Sequence, residues 1–225
     1  MNKNYIIKKG LSITIKFLIA FAAILGTILI SKSAQHFFDD NIWYFTVQSN
    51  LILAAVALLF LAFDIVSLIK KTDLIVAAKF ESLRLASVFF IFITGVVFNC
   101  LLAPLQFDNT GSIYNFSSVL LHCVTPVLAI LDWIFFLGKD NLKKTNIFYW
   151  ILYPLAYLFI SNSRVAYYPE FVKYPYFFMD PAWNNQGVMM VVLWISAMIL
   201  VFGALGYLSI ILDKKIRSIQ NKKLN

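Results

Sequence analysis

The sequence predicts an all-α, polytopic membrane bundle of six transmembrane helices, and three observations predict it. Of 225 residues, 61% are hydrophobic and only 13% charged, against about 45–50% and about 25% in soluble domains. Six apolar runs, at about 13–31, 44–69, 84–105, 116–137, 147–163 and 187–212, approach or exceed the roughly 20 residues a helix needs to cross a bilayer. In lipid every backbone polar group needs an internal partner, and runs this long satisfy that requirement as helices rather than barrel strands.

The first run follows Lys3, Lys8 and Lys9. It exceeds the 7–15-residue apolar core of a signal peptide, so it is expected to remain as a span. Across the chain, 16 of the 19 Lys and Arg residues fall at the N-terminus, in the 70–83 and 138–146 connections and their borders, or in the tail; only Lys32, Arg164 and Lys173 fall on the other side. The positive-inside rule converts that bias into both termini in the cytoplasm. The net charge of +8 is thereby a topology signal, and no nucleic-acid partner is implied.

The second span opens with "YFTVQSN", residues 44–50, where Thr46, Gln48, Ser49 and Asn50 cluster just before "LILAAVALLFLAF". It also holds Asp64, which Lys70 or Lys139 is expected to neutralise. The third span carries Asn99, suited to an interhelical hydrogen bond, and Cys100. The fourth carries Cys123, His122 and Asp132, the last expected to pair with Lys70 or Lys139. Without C-x-x-C spacing the two cysteines read as free, buried thiols, with no metal site.

His122 is the only histidine inside a span, since His36 belongs to a connection. It lies about six residues into span four, roughly 9 Å along the axis. Asn50 lies about six residues into span two from the same side, so the two share a depth. Thr46 and Asn50, at i and i+4, share a helix face. Pro126 cannot donate to the His122 carbonyl, which predicts a kink and a free acceptor that Thr125 is placed to satisfy.

An imidazole beside a hydroxyl can act as general base and convert it to a nucleophile. Thr46, Ser49, Ser117, Ser118 and Thr125 are the hydroxyls at hand, and the Gln48 and Asn50 amides are candidates for an oxyanion or substrate contact. No carboxylate stands near His122, because Asp132 is about 15 Å along the same helix. From spacing alone the cluster reads first as interhelical glue. A single intramembrane histidine excludes a bis-histidine haem bundle, and there is no P-loop, H-E-x-x-H or G-x-S-x-G.

The fifth run, 147–163, leads into "RVAYYPEFVKYPYFFMDPAWNN". Its aromatic residues suit the headgroup zone, and it reads either as a stiff interfacial belt or as a lid over a cavity that admits lipid. Tyr176, within it, is a further substrate-contact candidate. The sixth run ends in a basic tail. No linker or internal repeat divides the chain, which is expected to form a single domain over 1–225.

Four motifs in order, "YFTVQSN", "LHCVTPVLAILDWIFF", "WILYPLAYLFI" and "YPYFFMDP", carry a resemblance. Over roughly residues 40–212 the chain resembles the androgen-induced gene protein family, which includes the androgen-dependent TFPI-regulating protein and a bacterial branch of six-helix membrane proteins. Its animal members are membrane threonine hydrolases that split fatty-acid esters of hydroxy fatty acids. The resemblance implies Thr46 as nucleophile and His122 as its base, with a membrane lipid or fatty-acid ester as substrate. Such chemistry requires no cofactor, no obligate protein partner is evident, and the Phe- and Lys-rich composition with short connections suggests a bacterial plasma membrane. Two departures stand out: Ser49 occupies a position that is acidic in the animal proteins, and Val165 follows Arg164 where the bacterial branch has glycine. A lipid acyltransferase and a non-catalytic lipid-binding or transport protein are the alternatives.

Overall fold

The computed structural model describes residues 3–32, 41–74, 76–106, 114–136, 145–170 and 172–222. The described residues are all-α, with no strand. Five helices are long and apolar enough to cross a membrane. Packing divides the chain into two compact units, residues 1–141 and 142–225.

The first unit contains four long helices. Helix α1 is Lys3–Lys32 and α2 is Phe45–Lys70. Helix α3 runs over Ala78–Leu102 and continues through Ala103–Gln106. Helix α4 is Phe116–Phe135. Their shared core is aliphatic, with Ile19, Ala23, Val47, Leu53, Ile91, Leu121 and Ala129 almost wholly buried. Helix α2 stops where Lys71 adopts a left-handed conformation, φ 56°, and its N–H returns to Leu68 O and Ser67 O, a common way to satisfy terminal carbonyls. Helix α4 starts at Asn115, whose side chain accepts the Ser118 N–H at 2.8 Å, so that a first-turn donor gains a partner.

Two helices are widened locally. A π-turn occupies Phe98–Leu102 in α3 and another occupies Leu120–Val124 in α4. Prolines 104 and 126 follow them closely, and a missing proline N–H frees carbonyls one turn back. In α4 the accounting closes through side chains. Thr125 N–H reaches Leu120 O, Leu121 O accepts from Asn50 Nδ2 at 3.2 Å and lies 3.1 Å from Thr125 Oγ1, and His122 O accepts from Asn99 Nδ2 at 3.0 Å. The expectation that Thr125 would satisfy His122 O is therefore corrected: Thr125 turns to Leu121, and the interhelical bond predicted for Asn99 does that work. Helices α3 and α4 approach closely here because residue 95 is glycine. A Cβ on Gly95 would stand 3.0 Å from Pro126 Cγ and 3.2 Å from His122 O.

The far end of the same unit holds a chain of charges, buried except for the half-buried Lys9. Lys9 Nζ lies 2.7 Å from Asp64 Oδ1, Lys16 Nζ lies 3.0 Å from both Asp64 Oδ2 and Asp132 Oδ1, and Arg84 Nη2 lies 2.7 Å from Asp132 Oδ2. Both spans' aspartates are paired, as buried charges must be, but with different cations than the sequence suggested. Lys70 is exposed and takes no part, while Lys139 lies outside the described residues.

The second unit contains α5, Asn146–Tyr167, and α6, Gly187–Lys222. The fifth predicted span lies within α5, which has the length to cross but not the apolarity: Asn146, Tyr149, Trp150, Tyr153, Tyr157 and Asn162 dilute it, and it is not among the five qualifying helices. Between α5 and α6, Phe177–Met179 and Trp183–Asn185 form short 3₁₀ turns. Phe177 packs on Trp183 with ring centroids 4.4 Å apart, and Gln186 Nε2 donates to Phe177 O at 2.9 Å. The predicted aromatic connection is thus a folded pad.

Candidate active site

The first turn of α2 places Thr46 against the π-turn of α4. Thr46 Oγ1 lies 3.1 Å from His122 Nε2, and both residues are more than nine-tenths buried. His122 Nδ1 lies 2.9 Å from Ser118 O. A carbonyl can only accept, so Nδ1 carries the proton; in the neutral ring Nε2 then has a free lone pair. The contact therefore runs from the Thr46 hydroxyl, as donor, to His122 Nε2. That is the direction general-base activation needs, and the carbonyl of Ser118 takes the orienting place that a carboxylate fills in a catalytic triad.

Of the five candidate hydroxyls, only Thr46 meets the imidazole. Ser49 Oγ lies 2.8 Å from Thr94 Oγ1 and donates to Thr46 O at 3.1 Å. Ser117 Oγ donates to Asn115 Oδ1. Thr125 Oγ1 donates to Asn50 Oδ1 at 2.8 Å. The depth argument could not separate Thr46 from Ser49; the rotation of α2 does.

The amide candidates are engaged elsewhere. Asn50 Nδ2 donates to Thr46 O at 2.8 Å and to Leu121 O at 3.2 Å, so both its protons go to carbonyls. Gln48 Nε2 donates to Ile42 O at 2.9 Å. In this arrangement Asn50 ties α2 to α4 beside the dyad, and Gln48 ties α2 to the 3₁₀ turn before it. Tyr176 belongs to the second unit, where its ring stacks on Phe178 at 5.1 Å.

Sequence reasoning did not single out Phe98 or Tyr114. The Phe98 ring lies on the His122 ring, with centroids 3.7 Å apart and planes at 11°. Tyr114 meets Phe98 edge-on at 5.7 Å and donates its hydroxyl to Asn99 Oδ1 at 3.1 Å. A π-turn shifts the helical phase within one turn, which hides such contacts from a 3.6-residue count. Proximity to the two prolines was the signal available. Among the described residues no group of three His, Cys, Asp or Glu side chains could hold a metal ion. Comparison with known proteins gives no match to any family model, curated protein or solved structure.

Proposed function

We propose that this chain is a membrane lipid-ester hydrolase with Thr46 as nucleophile and His122 as general base. The observation that carries the reading is the buried 3.1 Å contact between Thr46 Oγ1 and His122 Nε2, with Nδ1 held by Ser118 O. The family resemblance of the motifs around both residues supports it and points to fatty-acid esters of hydroxy fatty acids, or a related lipid ester, as substrate.

In this mechanism the Thr46 hydroxyl proton passes to His122 Nε2 while Oγ1 adds to the ester carbonyl. The tetrahedral adduct collapses by breaking the carbonyl-to-alkoxy bond, and the imidazolium returns its proton to the leaving oxygen. Water then gives a proton to the same nitrogen and adds to the acyl carbon; the Oγ1–acyl bond breaks, Thr46 is reprotonated and the fatty acid leaves. With the Asn50 amide engaged, the Thr46 backbone N–H serves as oxyanion donor, because first-turn helix N–H groups have no intrahelical acceptor.

The proposal includes six crossings, with α5 as the fifth, both termini cytoplasmic, and the dyad in the half of the bundle facing away from the cytoplasm. Purified protein is treated with a serine/threonine-directed fluorophosphonate probe. Labelling in wild type and Ser49→Ala, and its loss in folded Thr46→Ala and His122→Ala, is the expected pattern. Label that persists in Thr46→Ala would sink the assignment.

A further inference from the structure

We propose that Phe98 is the electrostatic partner of the His122 imidazolium, supplying the charge stabilisation that a carboxylate gives in a Ser-His-Asp triad while Ser118 O orients the ring. The inference rests on the Thr46–His122 reading and concerns how that dyad works without an acid. When Thr46 gives up its proton, a positive charge forms on a ring that is more than nine-tenths buried. Such a charge needs compensation, since burial without a partner is costly. Among the described residues no ion pair involves His122, and the acid of its own helix, Asp132, is paired with Lys16 and Arg84.

The groups bonded to the imidazole are formally neutral, the Thr46 hydroxyl from α2 at Nε2 and the Ser118 carbonyl of α4 at Nδ1. Beside it, the Asn50 amide binds Leu121 O and the Asn99 amide binds His122 O. Helix α1 packs on the same π-turn at Gly26, where a Cβ would stand 2.7 Å from Leu121 Cδ2. What does lie on the imidazole is an aromatic face. At 3.7 Å and 11°, the rings sit well within the roughly 6 Å at which a cation is drawn to a ring's negative face.

The surroundings hold Phe98 in that place. It opens the α3 π-turn, next to Asn99, whose amide binds His122 O. Tyr114 braces both residues, one edge-on and the other through its hydroxyl. The ring face and the main chain of His122 are therefore fixed by two consecutive residues of one helix. Phe98 is a positioning residue, acting through the imidazole, and its contribution appears only after proton transfer. A contact that strengthens with developing charge raises the rate of the chemical step rather than substrate affinity.

The test uses the full chain in detergent, with mono-, di- and trifluorophenylalanine placed at position 98 by codon suppression. Fluorination drains the ring's negative face with little change of shape. The expected result is a stepwise fall in the rate of fluorophosphonate labelling, reaching about three- to thirtyfold in Phe98→Leu, with thermal unfolding of the fluorinated series unchanged. A flat series accompanied by a loss in Phe98→Leu would mean that the ring only fills space, which overturns the proposal.

A second readout separates this inference from the catalytic one. In His36→Gln protein, His122 is the sole imidazole, and NMR follows its protonation directly. If wild type never labels, the hydrolase reading fails. The Phe98 inference survives only if each fluorine makes His122 harder to protonate. Protonation indifferent to fluorine would overturn it even in a protein that labels.

Discussion

At the scale of single residues, Asn50 holds the dyad's two helices in register. Its two amide protons go to Thr46 O and Leu121 O, and its Oδ1 takes the Thr125 hydroxyl. All of these groups are buried, and although Thr46 O and Leu121 O keep Ser49 Oγ and Thr125 Oγ1 within reach, removing the amide forfeits three hydrogen bonds at about 0.5–1.5 kcal/mol each. Asn50→Ala is expected to lose about 2–4 kcal/mol of stability and most fluorophosphonate labelling. Asn50→Asp should be no better, because it sets an oxygen against two carbonyl oxygens; a melting curve and labelling at the wild-type level for Asn50→Asp would contradict this bonding pattern. The shared depth of Asn50 and His122 was legible from counting along two spans. The choice of Thr46 over Ser49 was not legible from spacing, because it depends on how far α2 rotates about its axis, and the resemblance supplied it. Phe98 stayed hidden for a related reason: the π-turn changes which side chains share a face, and no period in the sequence announces that.

At the scale of helices, the four members of the first unit are joined by different means at their two ends. Beside the dyad the joints are neutral hydrogen bonds and a close approach at Gly95. At the other end they are ionic: Lys16 of α1 lies between Asp64 of α2 and Asp132 of α4, and Arg84 of α3 completes the set. The sequence showed that these aspartates needed partners. It suggested the nearest lysines in the chain, because partners on other helices are set by packing, and Lys16 and Arg84 had been counted toward the topology bias instead. A buried pair cut on one side leaves an uncompensated charge and costs about 3–5 kcal/mol. Lys16→Met faces two carboxylates at once and is expected to lose at least that much in chemical or thermal unfolding. The triple variant Lys16→Met/Asp64→Asn/Asp132→Asn, in which Arg84 keeps Glu81 3.6 Å away, should recover a large part of the loss. A triple variant less stable than Lys16→Met alone would show that these charges do more than balance one another.

At the scale of the whole molecule, the open question is the parity of the crossings. Five helices have the length and apolarity to span a bilayer, and the sixth, α5, has the length alone. Its tyrosines, tryptophan and asparagines lower its hydropathy, while Phe148, Tyr149, Leu152 and Phe159 remain well exposed on its surface. A helix that shows large apolar side chains outward fits lipid, and aromatic residues near its ends fit the headgroup zone. The all-α class was legible at once from composition and run length. The number of crossings was not, because α5 sits near the threshold that separates a span from a buried or interfacial helix. Parity makes the difference measurable. Six crossings put both termini on one side, the cytoplasmic side by the distribution of Lys and Arg; five put them on opposite sides. Single cysteines introduced at Asn2 and at Asn225, in a Cys100→Ala/Cys123→Ala background, are exposed to a membrane-impermeant maleimide on intact cells and again after permeabilisation. Protection of both in intact cells and reaction of both after permeabilisation is the expected result. If one terminus reacts in intact cells and the other does not, α5 does not cross, and its aromatic face belongs to the interface instead.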